Sequence, residues 1–249
     1  MHDGSLAACL AAAELDWIVP DWPAPANVHA LSTTRNLGPG REIDLSARNP
    51  DAILARAELR RFVGREPLWL VQVHGAAIAS ADGTHATAPR ADGAVARSAG
   101  NACAVLTGDC LPVMFAGRDG SVVAIAHAGW RGLAAGVLEA TVQAMRIEPA
   151  SVLAWLGPAI GPAAFEVGAD VHAAFIASDP GAAGCFEPIR EGKWNADLYA
   201  LARRRLAHAG VRAVYGGGRC TFTERETFYS YRRGGADAPR RMASVIWRT

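Results

Sequence analysis

His74, Cys110 and His127 are the residues in this chain whose types can do chemistry together. Each follows an apolar run that reads as a strand, at residues 68–73, 102–107 and 122–126, so adjacent strands can bring their ends together. Two imidazoles and a thiolate suit a zinc ion and leave its fourth tetrahedral position for water or substrate. The same trio also suits a cysteine nucleophile with a histidine base. Histidines held in a core and cysteines acting as small hydrophobes are the commoner fates of these types, so spacing alone leaves these readings open. Asp109, next to Cys110, is either an acid/base or orienting group, or simply a turn residue of Thr107-Gly108-Asp109-Cys110.

Two arginine motifs can bind anions. Gly129-Trp130-Arg131-Gly132 opens a helix, where backbone N–H groups and the Arg131 guanidinium converge; the plainer reading is a helix entry with a solvated arginine. Tyr231-Arg232-Arg233-Gly234 offers bidentate guanidinium contacts, or else a solvated strand end. Gly216-Gly217-Gly218 lacks the Lys and Ser/Thr of a phosphate loop and reads as a turn.

The elements that must position these groups are interleaved irregularly. Residues 18–25 read as an extended entry and 28–34 as a strand. Asn49 is the expected N-cap, with Pro50 at the first position, of a helix through Ala55, Leu59 and Phe62 that Gly64 ends. Residues 111–116 and 152–156 add strands, and 157–162 form a rigid loop. Helices are expected at 129–145, 169–178 and 196–209, and closing strands at 228–231 and 242–247. This pattern predicts an α+β (α/β mixed) fold with mixed β-sheets flanked by helices. Residues 1–18 read as an N-terminal extension and 19–249 as one catalytic domain.

Composition narrows the function classes. The 249 residues are 51% hydrophobic and 20% charged with formal net charge +1, enough to build a sizeable core and without the basic excess of a nucleic-acid binder. Five cysteines without a Cys-x-x-Cys pair suggest a reducing, cytoplasmic setting. The apolar stretch at 6–13 lies among Asp3, Glu14 and Asp16 and reads as a helix, not a secretory leader. No apolar run approaches the roughly 20 residues of a membrane span. Trp17, Trp22 and Tyr231 are candidates for a homodimer interface.

Longer motifs identify a resemblance. Val71-Gln-Val-His-Gly75, Arg90-Ala-Asp-Gly93, Leu106-Thr-Gly-Asp-Cys-Leu-Pro-Val113, the stretch from Ala126 to Glu139 around His127-Ala-Gly-Trp-Arg-Gly132, Trp155-Leu-Gly-Pro-Ala-Ile-Gly-Pro162 and Phe228-Tyr-Ser-Tyr-Arg-Arg-Gly234 occur in order. Together they resemble the YfiH-like family, also called the laccase-domain or multicopper polyphenol oxidase family. The resemblance runs from about Val19 to Trp247. It implies that His74, Cys110 and His127 are metal ligands for zinc, with copper as the alternative, and that Arg233 is a functional arginine. Arg35, Gln72, Arg131 and Arg232 are then assigned to substrate binding, and Cys110, Asp109 and Arg233 to catalysis. Near Arg35 the chain departs from the family: Ser32-Thr-Thr-Arg35 runs directly into Asn36-Leu-Gly38, or else Asp44-Leu45 replaces that later motif.

The resemblance implies phosphorolysis of adenosine, inosine and 5′-methylthioadenosine to base and ribose 1-phosphate, with adenosine deamination. Alternatives are a copper-dependent polyphenol oxidase, a cysteine hydrolase acting on peptidoglycan precursors and a non-enzymatic metal binder. The chain has seven histidines and no His-x-His pair, too few for a four-copper centre. Deamination would need a proton shuttle other than the His-x-Glu of known zinc deaminases, and Asp109 is the nominee.

Overall fold

Strands buried on both faces must be apolar at every position, and the side chains that alternate along them then belong to two different cores. The computed structural model, which describes residues 5–46, 49–235 and 240–249, follows that rule. Its elements run α1 (Leu6–Ala12), β1 (Val28–Ser32), α2 (Ala52–Val63), β2 (Ile78–Ser80), β3 (Gly93–Ala96), β4 (Ala102–Thr107), β5 (Leu111–Gly117) and β6 (Val123–Ala128). There follow α3 (Trp130–Ala134), α4 (Val137–Met145), β7 (Val152–Leu156), β8 (Glu166–Gly168), α5 (Ala169–Ile176), β9 (Phe186–Arg190) and β10 (Lys193–Ala196). The chain closes with α6 (Leu198–His208), β11 (Ala213–Gly216), α7 (Tyr231–Gly234) and β12 (Met242–Arg248).

A six-stranded mixed sheet has the order β11-β7-β5-β6-β3-β2, and a three-stranded antiparallel sheet the order β1-β12-β4. On β5, Val113 and Phe115 face α4 and α6, while Met114 and Ala116 face the smaller sheet. Ala124 and Ala126 of β6 divide from Val123 and Ile125 in the same way. The smaller sheet repeats the rule: Cys103 and Val105 turn inward, and Ala102 and Ala104 pack outward with Leu10 of α1 and Leu59 of α2. The result is helices, sheet, sheet, helices in four layers. A third sheet, β8-β10-β9, closes the α5 side.

Several elements differ from the sequence expectation. Residues 68–73 make only isolated bridges, Leu68 with Cys103 and Val71 with Arg90, because the segment leaves β4 and crosses towards the other sheet. The expected strand at 228–231 is instead a bend into α7, capped by the Ser230 hydroxyl on the Arg233 N–H. The helix expected over 129–145 breaks at Gly136, whose φ of +88° interrupts the α-ladder. α2 starts after Asp51, and Asn49 accepts the Asp51 N–H ahead of it. β6 extends to Ala128, so His127 lies on the strand and not beyond it. The short strands β2, β3, β8, β9, β10 and β11 carry too little periodicity to announce themselves. Of the 1–18 segment, residues 5–18 are described, and Leu10 and Trp17 are buried in the core beside α2. Trp17, expected at an interface, packs edge-on against Phe62 at 5.3 Å. Among the described residues no helix is long and apolar enough to cross a membrane.

One buried hydroxyl holds the 157–161 loop. Tyr199 Oη accepts the Ala159 N–H at 2.9 Å and donates to the Arg219 carbonyl at 2.7 Å, and burial pushes its pKa well above the ordinary tyrosine value. Tyr199→Phe strands the Ala159 donor, so urea unfolding is expected to show a loss of about 1–3 kcal/mol. Unchanged stability would mean that the hydroxyl carries no such load.

Candidate metal centre

Sheet register assembles the site. β5 and β6 pair Pro112 with His127, which sets Cys110, the residue before β5, beside the His127 end of β6. β3 and β6 pair Gly93 with Ala126, and the His127 N–H continues the ladder to the Asp92 carbonyl at 2.6 Å. Asp92, His127 and Cys110 thus stand side by side at one end of three adjacent strands. His74 belongs to no strand. The Asp92 carboxylate brings it in by accepting the main-chain N–H groups of Val73, His74 and Gly75 at 2.7–3.1 Å.

The same carboxylate meets His127 Nδ1 at 2.9 Å, leaving the other ring nitrogen to face the site. His74 and His127 lie edge to face with centroids 4.8 Å apart, and His74 Nε2 is 3.9 Å from Cys110 Sγ. One ligand atom from each residue falls within 4.8 Å of the others. A tetrahedral ion with bonds of about 2.0–2.3 Å needs donors about 3.3–3.6 Å apart, so modest contraction suffices. Desolvation favours the neutral Cys110 thiol, but the charges and hydrogen bonds of His127 and then His74 outweigh it and lower its pKa to about 6. Desolvation likewise opposes protonation of His127, and the Cys110 thiolate and Asp92 reverse it. A thiolate beside two imidazoles, one of them oriented by a buried carboxylate, is a donor set that can hold a metal ion.

Gly129 closes one side of the trio. A methyl group there would lie 2.8 Å from Cys110 Sγ and 3.1 Å from His74 Cδ2. The glycine of that motif therefore serves close packing. α3, which it precedes, spans only five residues, and the exposed Arg131 lies over the neighbouring Trp130 ring at 4.4 Å.

Each of the remaining residues singled out in the sequence is held by contacts of its own. Asp109 is buried at a φ of +105°, with both carboxylate oxygens engaged: Oδ1 accepts from Thr221 Oγ1 at 2.6 Å, and Oδ2 from Ser230 Oγ and the Arg232 N–H. Arg233 donates to the Thr221, Phe222 and Phe228 carbonyls. Arg232 is exposed and donates to the Glu166 carbonyl at 3.0 Å. Arg35 pairs with Glu42, donates to the Arg225 carbonyl and lies over the Tyr229 ring, and the loop after it closes through a bridge between Asn36 and Glu42. Both ends of the Gln72 amide are bound to the Leu106 main chain. Sequence reasoning gave no role to Asp92, Thr221 or Ser230. The signal available for Asp92 was its place in the Arg90-Ala-Asp-Gly93 motif.

A family model described as multi-copper polyphenol oxidoreductase laccase matches residues 40–249. The purine nucleoside phosphorylase YfiH of Escherichia coli (strain K12) is 48% identical over 241 residues, covering 92% of this chain and 98% of that protein. A purine nucleoside phosphorylase of Haemophilus influenzae is 40% identical over 242 residues, covering 92% of this chain and 98% of its own length. The crystal structure of protein NMB0706 of Neisseria meningitidis superposes with a TM-score of 0.89 at 48% identity, over 94% of this chain and 99% of that one.

Asp92→Asn preserves shape but replaces one acceptor oxygen by a donor amide among four donors. Zinc affinity, measured by competition with a chromophoric chelator, is expected to fall about 10–100-fold. Unchanged affinity would show that His127 and the His74 loop are held by other contacts.

Proposed function

The chain belongs to the multi-copper polyphenol oxidoreductase laccase family of YfiH-type proteins, and on that premise we propose that it is a zinc-dependent purine nucleoside phosphorylase with adenosine deaminase activity. The observation that carries the reading is the three-donor cluster, buried at His127 and open at His74, in a chain 48% identical to a named phosphorylase. Substrates are adenosine, inosine and 5′-methylthioadenosine with phosphate. In the reaction a phosphate oxygen bonds to C1′ of the ribose as the bond to the purine nitrogen breaks, giving base and ribose 1-phosphate.

His74, Cys110 and His127 would hold the ion, which would supply a Lewis acid when bound. The chain's own groups shape the surroundings. Arg131, exposed in α3, and Arg232, exposed and with its main-chain N–H bound to Asp109, would serve as the phosphate clamp. Arg233, with its donors on three carbonyls, braces the segment that carries Arg232, and Arg35 is held by Glu42 and the Arg225 carbonyl. Asp109, whose oxygens accept three hydrogen bonds, suits holding the Cys110 turn better than relaying a proton.

The histidine inventory argues against a multicopper oxidase. His29 stacks on Trp247, His85 meets the Ser80 carbonyl, His172 stacks on Trp194 and His208 approaches Asp179. Among the described residues one cluster of three donors remains. A second reading has specific support: Cys110, His127 and Asp92 are also arranged as nucleophile, base and orienting carboxylate, which fits a thiol hydrolase of peptidoglycan precursors.

Incubation of the zinc-loaded protein with adenosine and phosphate, followed by chromatography, should yield adenine and ribose 1-phosphate. His74→Ala should abolish both zinc retention and turnover. No nucleoside turnover by folded, zinc-loaded protein would sink the phosphorylase reading. Cleavage of a peptidoglycan-precursor amide that survives chelation and stops on alkylation would establish the thiol hydrolase instead.

A further inference from the structure

The assembly described above leaves a mechanical gap. Asp92 ties His74 to His127, and sheet register ties His127 to Cys110, yet the segment carrying His74 has left the regular ladder of β4, whose continuation carries Cys110. β4 lies at the edge of its sheet, so one side of its backbone lacks a strand partner. The main chain of Leu68 serves that edge at its start, accepting from the Ala104 N–H and donating to the Ala102 carbonyl. The segment then turns away, and Val71 donates to the Pro89 carbonyl instead.

The next outward-facing position on the same edge is Leu106, and a side chain meets it. Gln72 Oε1 accepts the Leu106 N–H at 2.8 Å, and Gln72 Nε2 donates to the Leu106 carbonyl at 2.9 Å. A primary amide thereby reproduces the paired donor and acceptor of a neighbouring strand and continues the ladder after the backbone has departed. The side chain spans from two residues before His74 to four residues before Cys110. Both polar atoms of the amide are spent on this contact, while Val71 and Val73 on either side stay exposed.

We propose that Gln72 is a positioning residue that fixes the separation of His74 from Cys110, and not a group that binds substrate. The proposal rests on the metal-centre reading of His74, Cys110 and His127 but not on which nucleoside, if any, is turned over. Gln72→Met keeps the length of the side chain and loses both hydrogen bonds. Ser244→Ala removes a buried hydroxyl pair with Ser32 on the neighbouring β1–β12 ladder and provides a control for destabilisation of the same sheet.

The experiment is titration of the full-length, metal-free protein with Co²⁺, read by the thiolate-to-cobalt charge-transfer band and the visible ligand-field bands. The wild type and Ser244→Ala should give the same spectrum and affinity. Gln72→Met should bind about 10–100-fold more weakly with a shifted or diminished thiolate band. A Gln72→Met protein with wild-type affinity and spectrum overturns the proposal, and a raised KM for nucleoside on that background would return Gln72 to substrate binding. Absence of the thiolate band in the wild type would overturn the metal reading, and this proposal with it.

Discussion

A single carboxylate with no contact with solvent organises the site. Asp92 accepts three successive main-chain N–H groups from the loop bearing His74 and orients the His127 ring. Burying an ionised carboxylate carries a desolvation cost that only a full set of donors offsets. Here the donors come from two pieces of chain far apart in sequence, so satisfying the charge brings those pieces together. Hydrogen bonds to a charged group contribute about 1.5–3 kcal/mol each, enough to hold an irregular loop that has no ladder of its own. They also secure His74 at a φ of +60°, a conformation few non-glycine residues adopt.

The other ligands depend on less local constraints. Cys110 and His127 are placed by the antiparallel register of β5 and β6, and register is strict where both faces are buried, because a slip by one residue would exchange the two cores. Asp109 adds a second buried carboxylate, secured by a segment more than a hundred residues later, and fixes the turn into β5. Strain at that turn is held by surrounding contacts, as is common at functional sites.

Much of the sheet scaffold was legible in the sequence. The continuous apolar runs of β4, β5, β6 and β7 announce strands buried on both faces, and Gly64 marks the end of α2 with a left-handed cap. The run at 68–73 has the same composition as a strand, but its neighbour changes from Cys103 to Arg90 along its length, and composition carries no record of that change. Tyr229, Ser230 and the residues after them read as extended until Ser230 is seen capping a turn around Asp109. The metal ligands emerged from ordered family motifs, since the spacing of His74, Cys110 and His127 admitted a thiol site equally well. Asp92, Gln72 and Gly129 act through main-chain atoms and close packing, interactions that depend on what lies opposite them in space. Arginines were the least legible: a motif shows a guanidinium but not the carbonyls of residues 221–228 that occupy it.

The backbone of Gly129 lies against the sulfur of Cys110 and the ring of His74, while His74 itself remains exposed. The trio therefore has a floor and a mouth. A Cβ at position 129 would crowd both the thiol and the ring, whereas the His74 side is reached from solvent. The floor is a glycine that tolerates no side chain, and of the donors His127 lies on packed β6, Cys110 leads into β5 and His74 sits on a turn tied down by Asp92. Val71 and Val73, next in the chain to the His74 turn, are exposed as well. A substitution at Gly129 would therefore disturb the donors directly, whereas one at Val71 or Val73 would alter only the exposed surface beside His74.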